Sequence, residues 1–179
     1  MPATGMFQPA AWTVRPKYKG EQALIAASVL VEQTPDPSGV DSSEVLLELG
    51  DWFLLFRKHR EARETYKRVW TMLGKDVEAR DRAFAKPKLL YTPWIGNPDQ
   101  RRARVSEETG PGLIELSLSV NIYGKVHSVE VVRSEPEIFD IKVSRLTRLA
   151  RYRPAFVEGA PVGTDNVQVI HRFEYFLPM

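Results

Sequence analysis

The feature that most constrains this chain is a change in the spacing of its apolar residues near residue 110. Before that point, apolar side chains recur every three or four residues, which is the period of an α-helix packed against a core. After it, the segment LIELSLSVNI alternates between apolar and polar residues, which is the period of a β-strand with one buried face. A single change of period predicts an α+β fold, with a helical region followed by a sheet.

Residues 1–87 are predicted to form the helical region. The turn-rich segment TPDPSG ends the first helix, and the second begins near Asp41, Ser42 or Ser43, any of which can cap it. This second helix is apolar nearly all round, so it must be covered on more than one side. Gly74 is expected to end the third helix, because glycine is the usual residue after a helix C-terminus. The four predicted helices span about residues 22–33, 41–57, 60–73 and 76–86.

The segment LLELGDWFLLFRKHREARETYKRV resembles a tetratricopeptide repeat over about residues 43–74. That repeat has a Leu-Gly pair, an aromatic residue, a small residue and a second aromatic residue at fixed spacings. In this sequence those positions hold Leu49, Gly50, Phe53, Ala62 and Tyr66. Small residues at the crossing let two antiparallel helices approach closely. Because stacked repeats need about three units to be stable, we expect a single hairpin to depend on the rest of the protein for cover.

Residues 88–110 are predicted to connect the helical region to the sheet. The segment KLLYTPWIGNPDQRRARVSEETGPG, which runs two residues further, holds three prolines and three glycines and therefore interrupts regular structure. It also holds five large apolar residues, Leu89, Leu90, Tyr91, Trp94 and Ile95. Since these are too apolar for a free linker, we expect an ordered connector packed against one of the two halves.

Residues 111–179 are predicted to form a β-β-α-β domain, with a three-stranded antiparallel sheet and one helix on one face. Gly124, which readily adopts a positive φ, makes the first turn. Ser134 and Glu137 have the spacing of a capping box and predict the start of the helix. The last strand covers about residues 165–177. Four apolar helix residues are expected to face the sheet, namely Ile138, Ile141, Leu146 and Leu149.

This order of elements resembles the C-terminal domain of the TonB family over about residues 110–177. The resemblance rests on a terminal strand of the VQVIHRFEY type and on turn positions, namely Gly124, Arg153-Pro154-Ala155, Gly159 and Pro161-Val162. In that family, the terminal strand pairs with an extended segment of an outer-membrane receptor. The resemblance implies the same capacity here, a periplasmic location and a transport-associated role in the bacterial cell envelope.

The terminal strand is the candidate partner-binding site. A strand at the rim of a sheet has free N–H and C=O groups that accept another strand, while its outward side chains set the preference for a partner. These side chains are Gln168, Ile170, Arg172, Glu174 and Phe176. The expected partner is a protein, either an extended peptide or envelope protein, or a second copy in a homodimer. Two alternatives stay open: Phe176 and the connector cover the edge, or the repeat groove is the binding surface.

An enzymatic or metal-dependent function has little support in the sequence. The absence of Cys excludes disulfides, thiolate nucleophiles and Cys-based zinc sites. His59, His127 and His171 show no metal-ligand spacing. No nucleophile elbow or phosphate-cradling loop is present. We therefore expect no catalytic, metal-binding or cofactor-binding residues.

The alternative function is binding to nucleic acid or to an anionic surface through arginine-rich segments. Residues 57–104 carry 14 Lys and Arg against 6 Asp and Glu. The runs QRRAR and RLTRLARYR are the candidates. However, Arg145, Arg148 and Arg151 recur every three residues, as they would on a solvated helix face, and phosphate binding favours a clustered excess of charge.

Apolar runs in the sequence are short. A membrane-spanning helix needs about 20 apolar residues, and the clusters ALIAASVLV and WFLLF are well below that length. The segment MPATGMFQPAAW lacks the pattern of an export signal, so a cytoplasmic location remains the alternative to the periplasm. We also expect neither the membrane anchor nor the long Pro-rich spacer of an energy-transducing TonB.

Overall fold

The computed structural model describes residues 11–33, 40–93 and 109–176. Helices and a three-stranded antiparallel sheet occur together, which confirms the predicted α+β class. The helices of the first part are α1 (Ala11–Gln33), α2 (Val40–Leu55), α3 (His59–Leu73) and α4 (Val77–Phe84). A fifth helix, α5 (Asp140–Thr147), follows a short 3-10 turn in the second part.

The described strands form one main sheet and two ribbons. They are β1 (Lys88–Tyr91), β2 (Thr109–Val120), β3 (Val126–Glu135), β4 (Arg151–Arg153), β5 (Ala155–Val157), β6 (Ala160–Val162) and β7 (Thr164–Phe176). In the main sheet, β2 lies between β3 and β7. The ribbons pair β1 with β4 and β5 with β6. All these pairings are antiparallel.

Helix α2 is the centre of the helical region, because it contacts α1, α3, β1 and β4. The predicted cover on more than one side is therefore confirmed. At the crossing with α3, a β-carbon added to Gly50 would come within 2.5 Å of the Tyr66 ring, and Ala62 is fully buried. The small residues thus allow the close approach that their spacing predicts. The tetratricopeptide resemblance itself remains a prediction.

Two predicted helix ends have different outcomes. Gly74 ends α3 as expected, since its N–H donates a hydrogen bond to the carbonyl oxygen of Trp70. The capping role predicted for the start of α2 is wrong, because Asp41, Ser42 and Ser43 lie inside that helix. Residues 34–39, which precede it, lie outside the described part of the chain.

The main sheet follows the alternating pattern of the sequence. Along β2, four apolar side chains are fully buried: Ile114, Leu116, Leu118 and Val120. The predicted turn at Gly124 is confirmed, with a φ of +69°. A β-carbon at Gly124 would overlap the carbonyl oxygen of Tyr152, so this position requires glycine.

Strand β2 begins earlier than the alternating pattern predicts. Thr109 and Gly110 belong to it, although both lie in the segment predicted as connector. Pro111 is tolerated because β3 begins to pair with β2 only at Leu113, so a missing N–H removes no bond to β3. At the other end of the connector, Leu90 on β1 packs against the helical core. Trp94 and Ile95 lie outside the described residues.

The predicted inward face of the α5 segment is wrong. Ile138 and Ile141 are 75% and 76% exposed, and Leu149 is also exposed. The 3-10 turn Glu137–Phe139 shifts the phase of the helix, so a different set of residues faces the sheet: Phe139, Val143, Thr147 and Ala150. The predicted capping box is also wrong, because Pro136 rather than Ser134 precedes the 3-10 turn and no side chain caps it; the Ser134 hydroxyl instead donates to the carbonyl oxygen of Pro136.

Candidate functional site

Strand β7 lies at one edge of the main sheet. It pairs with β2 along nearly its whole length, from Phe176 opposite Thr109 to Thr164 opposite Val120. Among the described residues, no strand pairs with its other side. The predicted rim position of the terminal strand is therefore confirmed for the part of the chain that the structure describes.

The two faces of β7 have different environments. Four inward side chains pack against the core of the sheet: Val167, Val169, Phe173 and Tyr175. Four of the predicted partner-binding side chains are exposed on the other face: Gln168, Ile170, Arg172 and Glu174. Ile170 is 51% exposed, which makes it the large apolar group on this face of the strand. The side chain of Phe176 lies outside the description.

An aromatic cluster fixes the C-terminal end of β7 to the sheet. The ring of Phe139 meets Phe173 edge to face at a centroid distance of 5.3 Å, and Tyr175 at 5.7 Å. Across the sheet, Phe173 lies opposite Gly112, where a β-carbon would overlap the phenyl ring. The edge strand is thus held in place by its inward side chains, which lowers the ordering cost of binding a second strand.

The three histidines do not come together. His171 lies half-buried on β7, and burial lowers the pKa of its imidazole. His59 on α3 lies 5.4 Å from Tyr123 by ring centroids. Its pKa is lowered by burial and by the charges of nearby cations, chiefly Lys125. In the described segments, no group of three or more His, Asp or Glu side chains could hold a metal ion.

A buried ionic cluster, which sequence reasoning missed, joins helix α2 to strand β4. Arg153 on β4 is 3% exposed and donates to both carboxylate oxygens of Asp51 on α2, at 2.8 and 2.6 Å. It also donates to the carbonyl oxygen of Ala83 at 3.1 Å. The Tyr66 hydroxyl donates to the same carboxylate at 2.7 Å. The available signal for this cluster is that Asp51 directly precedes the apolar run WFLLF at the end of α2.

The polar groups of this cluster satisfy one another. Burial raises the pKa of Tyr66 well above its ordinary value, and Asp51 adds to the effect. Burial alone would lower the pKa of Arg153, but the hydrogen bonds and charge of Asp51 outweigh it, so the pKa is raised. The tyrosine therefore stays neutral and the arginine stays charged, so the cluster acts as a cross-link between elements rather than as a proton donor.

The segment after Arg153 also enters the helical core. Phe156 is buried among three aromatic rings of that core, those of Tyr66, Trp70 and Phe84. The hairpin that carries it turns at Glu158 and Gly159, whose φ values of 52° and 78° match a two-residue hairpin turn. The predicted Arg153-Pro154-Ala155 elbow thus contributes to both halves of the protein.

A cavity of about 230 Å³, lined mainly by α2 and α4, lies beside the ionic cluster and is the described candidate for the predicted repeat groove. Its walls carry charges of both signs, from Glu44, Glu48, Asp51, Arg82, Lys88 and Arg153. Two of these, Asp51 and Arg153, already bind each other. The cavity therefore offers no dominant charge to a ligand.

Within the described residues, the arginines of the segment RLTRLARYR do not share one surface. The Arg151 guanidinium turns back and donates to the carbonyl oxygens of Leu149 and Ala150. Arg145 and Arg148 are exposed and line a groove beside β3. The run QRRAR lies outside the described residues. Of the arginines predicted to bind an anionic surface, the described structure thus brings two together, Arg145 and Arg148.

Comparisons with known proteins leave the family open. No protein-family model and no curated protein gives a significant match to this chain. None of the described helices has the length and apolar character needed to cross a membrane. The resemblances to the TonB family and to the tetratricopeptide repeat therefore remain predictions that rest on the residues quoted above.

Proposed function

We propose that this protein is a non-enzymatic interaction module of the bacterial cell envelope that binds an extended segment of a partner protein. The segment adds to the free edge of β7 as a fourth strand of the main sheet. The observation that carries the proposal is the position of β7, a 13-residue strand paired on one side only among the described residues. The resemblance to the TonB family supports a periplasmic, transport-associated role.

Backbone pairing supplies only part of the affinity. Four or five hydrogen bonds at about 0.5–1.5 kcal/mol each supply about 2–7.5 kcal/mol in total, which offsets only the lower part of an association cost of about 4–15 kcal/mol. Useful affinity therefore needs side-chain contacts on the outward face. Ile170 provides an apolar contact for a residue on the added strand, and the neighbouring Arg172 and Glu174 favour opposite charges there.

Site-specific photo-crosslinking in cells tests the proposal. A photoreactive amino acid in place of Gln168 is expected to capture a distinct partner protein, while the same group in place of exposed Glu64 on α3 serves as the control. Ile170→Asp should abolish the product at position 168, because it replaces the apolar contact with a charge. A product that forms equally from both positions, or that survives Ile170→Asp, would refute the assignment to β7.

Self-pairing through β7 is the variant of this proposal in which the partner is a second copy. Sedimentation of the purified protein distinguishes the two. If the protein is a dimer that dissociates on Ile170→Asp, a second copy occupies the edge. If the protein is a monomer, the edge is free for a different partner protein.

A further inference from the structure

Strand β3 forms the other edge of the main sheet, and its environment differs from that of β7. Among the described residues, no strand pairs with its outer side either. Here, however, α5 lies beside the strand, and the two enclose an open groove of about 340 Å³. The groove is lined by Val129 and Val131 of β3 and by five residues of the α5 segment, Asp140, Ile141, Ser144, Arg145 and Arg148.

The middle of this groove is apolar. Val129 and Val131 are half-buried, and Ile141 is largely exposed on the helix wall. Ile138, in the 3-10 turn just before α5, is also exposed. Exposed apolar residues grouped in this way are typical of a contact surface.

The two ends of the groove have opposite chemistry. The guanidinium groups of Arg145 and Arg148 make no hydrogen bond or ion pair with any described residue, whereas Arg133 on β3 is paired with Glu135. At the other end, the Oδ1 atom of Asp140 is buried without a hydrogen-bond partner in the described structure. The arginine end of the groove can therefore pair with an anion, and the Asp140 end can accept a hydrogen bond from a donor.

We propose that the groove between β3 and α5 binds an extended acidic segment of a partner protein. The segment pairs with the outer edge of β3 and directs its apolar side chains toward Val129, Val131 and Ile141. A Glu or Asp side chain near its end forms charge-assisted hydrogen bonds with Arg145 and Arg148. This surface is distinct from the β7 edge and does not depend on the function proposed for it.

The length of the groove sets the length of the segment. Arg148 follows Asp140 by eight residues, which is about 12 Å along a helix that rises about 1.5 Å per residue. An extended strand covers that distance with about four residues at about 3.3 Å each. The expected ligand therefore has about four central residues that alternate apolar and polar, with the acid at one end and a backbone N–H or hydroxyl donor reaching Asp140 at the other.

A short synthetic peptide tests this inference with the whole protein. The probe is a fluorescent peptide of sequence TVTVEE, acetylated and amidated so that its only carboxylates are side chains. Anisotropy should show saturable binding, and amide chemical shifts should change along β3 and α5 but not along β7. Arg145→Glu with Arg148→Glu should weaken binding by about tenfold or more, as expected for the loss of charge-assisted bonds.

Two controls make the outcome decisive. Arg60→Glu reverses the charge of an exposed arginine on α3 and should leave the affinity unchanged. The peptide TSTSEE keeps the acids but loses the valines, and it should bind much more weakly. The inference is overturned by equal binding of the two peptides, by shift changes on β7, by no binding at millimolar peptide, or by a dimer of the free protein that already buries this groove. Because Arg145 and Arg148 are exposed, the double variant should fold, and its dispersed amide spectrum verifies this.

Discussion

The helical core and the sheet core of this protein differ in how far each is complete by itself. The sheet core consists of side chains from residues 114–175. The helical core includes Phe156, which comes from the second half of the chain. Arg153 adds the buried ionic cluster with Asp51, 102 residues away in sequence. Helices α1–α4 therefore depend on the elbow, whereas the core of the main sheet contains no side chain from those four helices.

This difference explains how one repeat-like hairpin can be stable. Stacked helical repeats normally cover one another, and here the Arg153–Phe156 segment covers the crossing of α2 and α3. The same segment connects α5 to β7, so it fixes the edge strand's sheet to the helical region. Substitutions in this segment, followed by stability and hydrogen-exchange measurements, show which of the two cores it stabilises.

The largest expected effect comes from removing the charge at the junction. Arg153→Met leaves the partly buried carboxylate of Asp51 without its ion pair, and we expect the free energy of unfolding to fall by up to about 3–5 kcal/mol. Urea unfolding measures this. Arg133→Met removes the exposed pair with Glu135 and should cost at most about 1 kcal/mol.

The triple variant Arg153→Met, Asp51→Leu and Tyr66→Phe sharpens this result. Replacing the ion pair by apolar groups removes the unpaired charge, and Tyr66→Phe removes the hydroxyl that would otherwise lose its acceptor, so most of the lost stability should return. Amide hydrogen exchange should show that Arg153→Met loosens α2 and α3 more than β2. An equal loss in both cores would contradict the proposed asymmetry.

Each core also contains a glycine that lies against an aromatic ring. Adding a methyl group to either glycine should lower the free energy of unfolding by less than the loss of the ion pair does. Gly50→Ala pushes against the ring of Tyr66, which is fully buried and hydrogen-bonded to Asp51. Overpacking of this kind typically costs about 1–3 kcal/mol. Gly112→Ala pushes against Phe173, which is only half-buried and has room to move. Chemical denaturation should therefore rank Gly50→Ala as the more destabilising, and the reverse order would refute this explanation.

The smallest effect concerns pH. The pKa values of His59 and His171 are lowered, chiefly by burial. The unfolded chain therefore binds more protons than the folded one below about pH 6.5, and stability falls as the pH decreases through the lowered pKa values. Thermal unfolding at several pH values should show that the melting temperature of His171→Gln depends less steeply on pH than that of the unmodified protein. An unchanged slope in His59→Gln and His171→Gln would contradict this assignment.

The sequence anticipates what depends on local periodicity and misses what depends on distant contacts. The alternation in β2 and β7 predicts the faces of both strands. The inward face of α5 is missed because the segment has two apolar faces, one that includes Ile138 and one that includes Phe139. Only the 3-10 turn, which the sequence pattern does not reveal, decides which face lies against the sheet. The pairing of Asp51 with Arg153 has no local signature, since it depends on how two elements far apart in sequence pack.

The most direct test of the central claim is amide hydrogen exchange along β7 in the free protein. If one side of this strand is open, the amides of residues 165–176 should alternate between slow exchange, where the N–H bonds to β2, and fast exchange, where it faces solvent. Uniform protection of these amides would show that the edge is already covered, and the account of β7 as a docking strand would then be wrong.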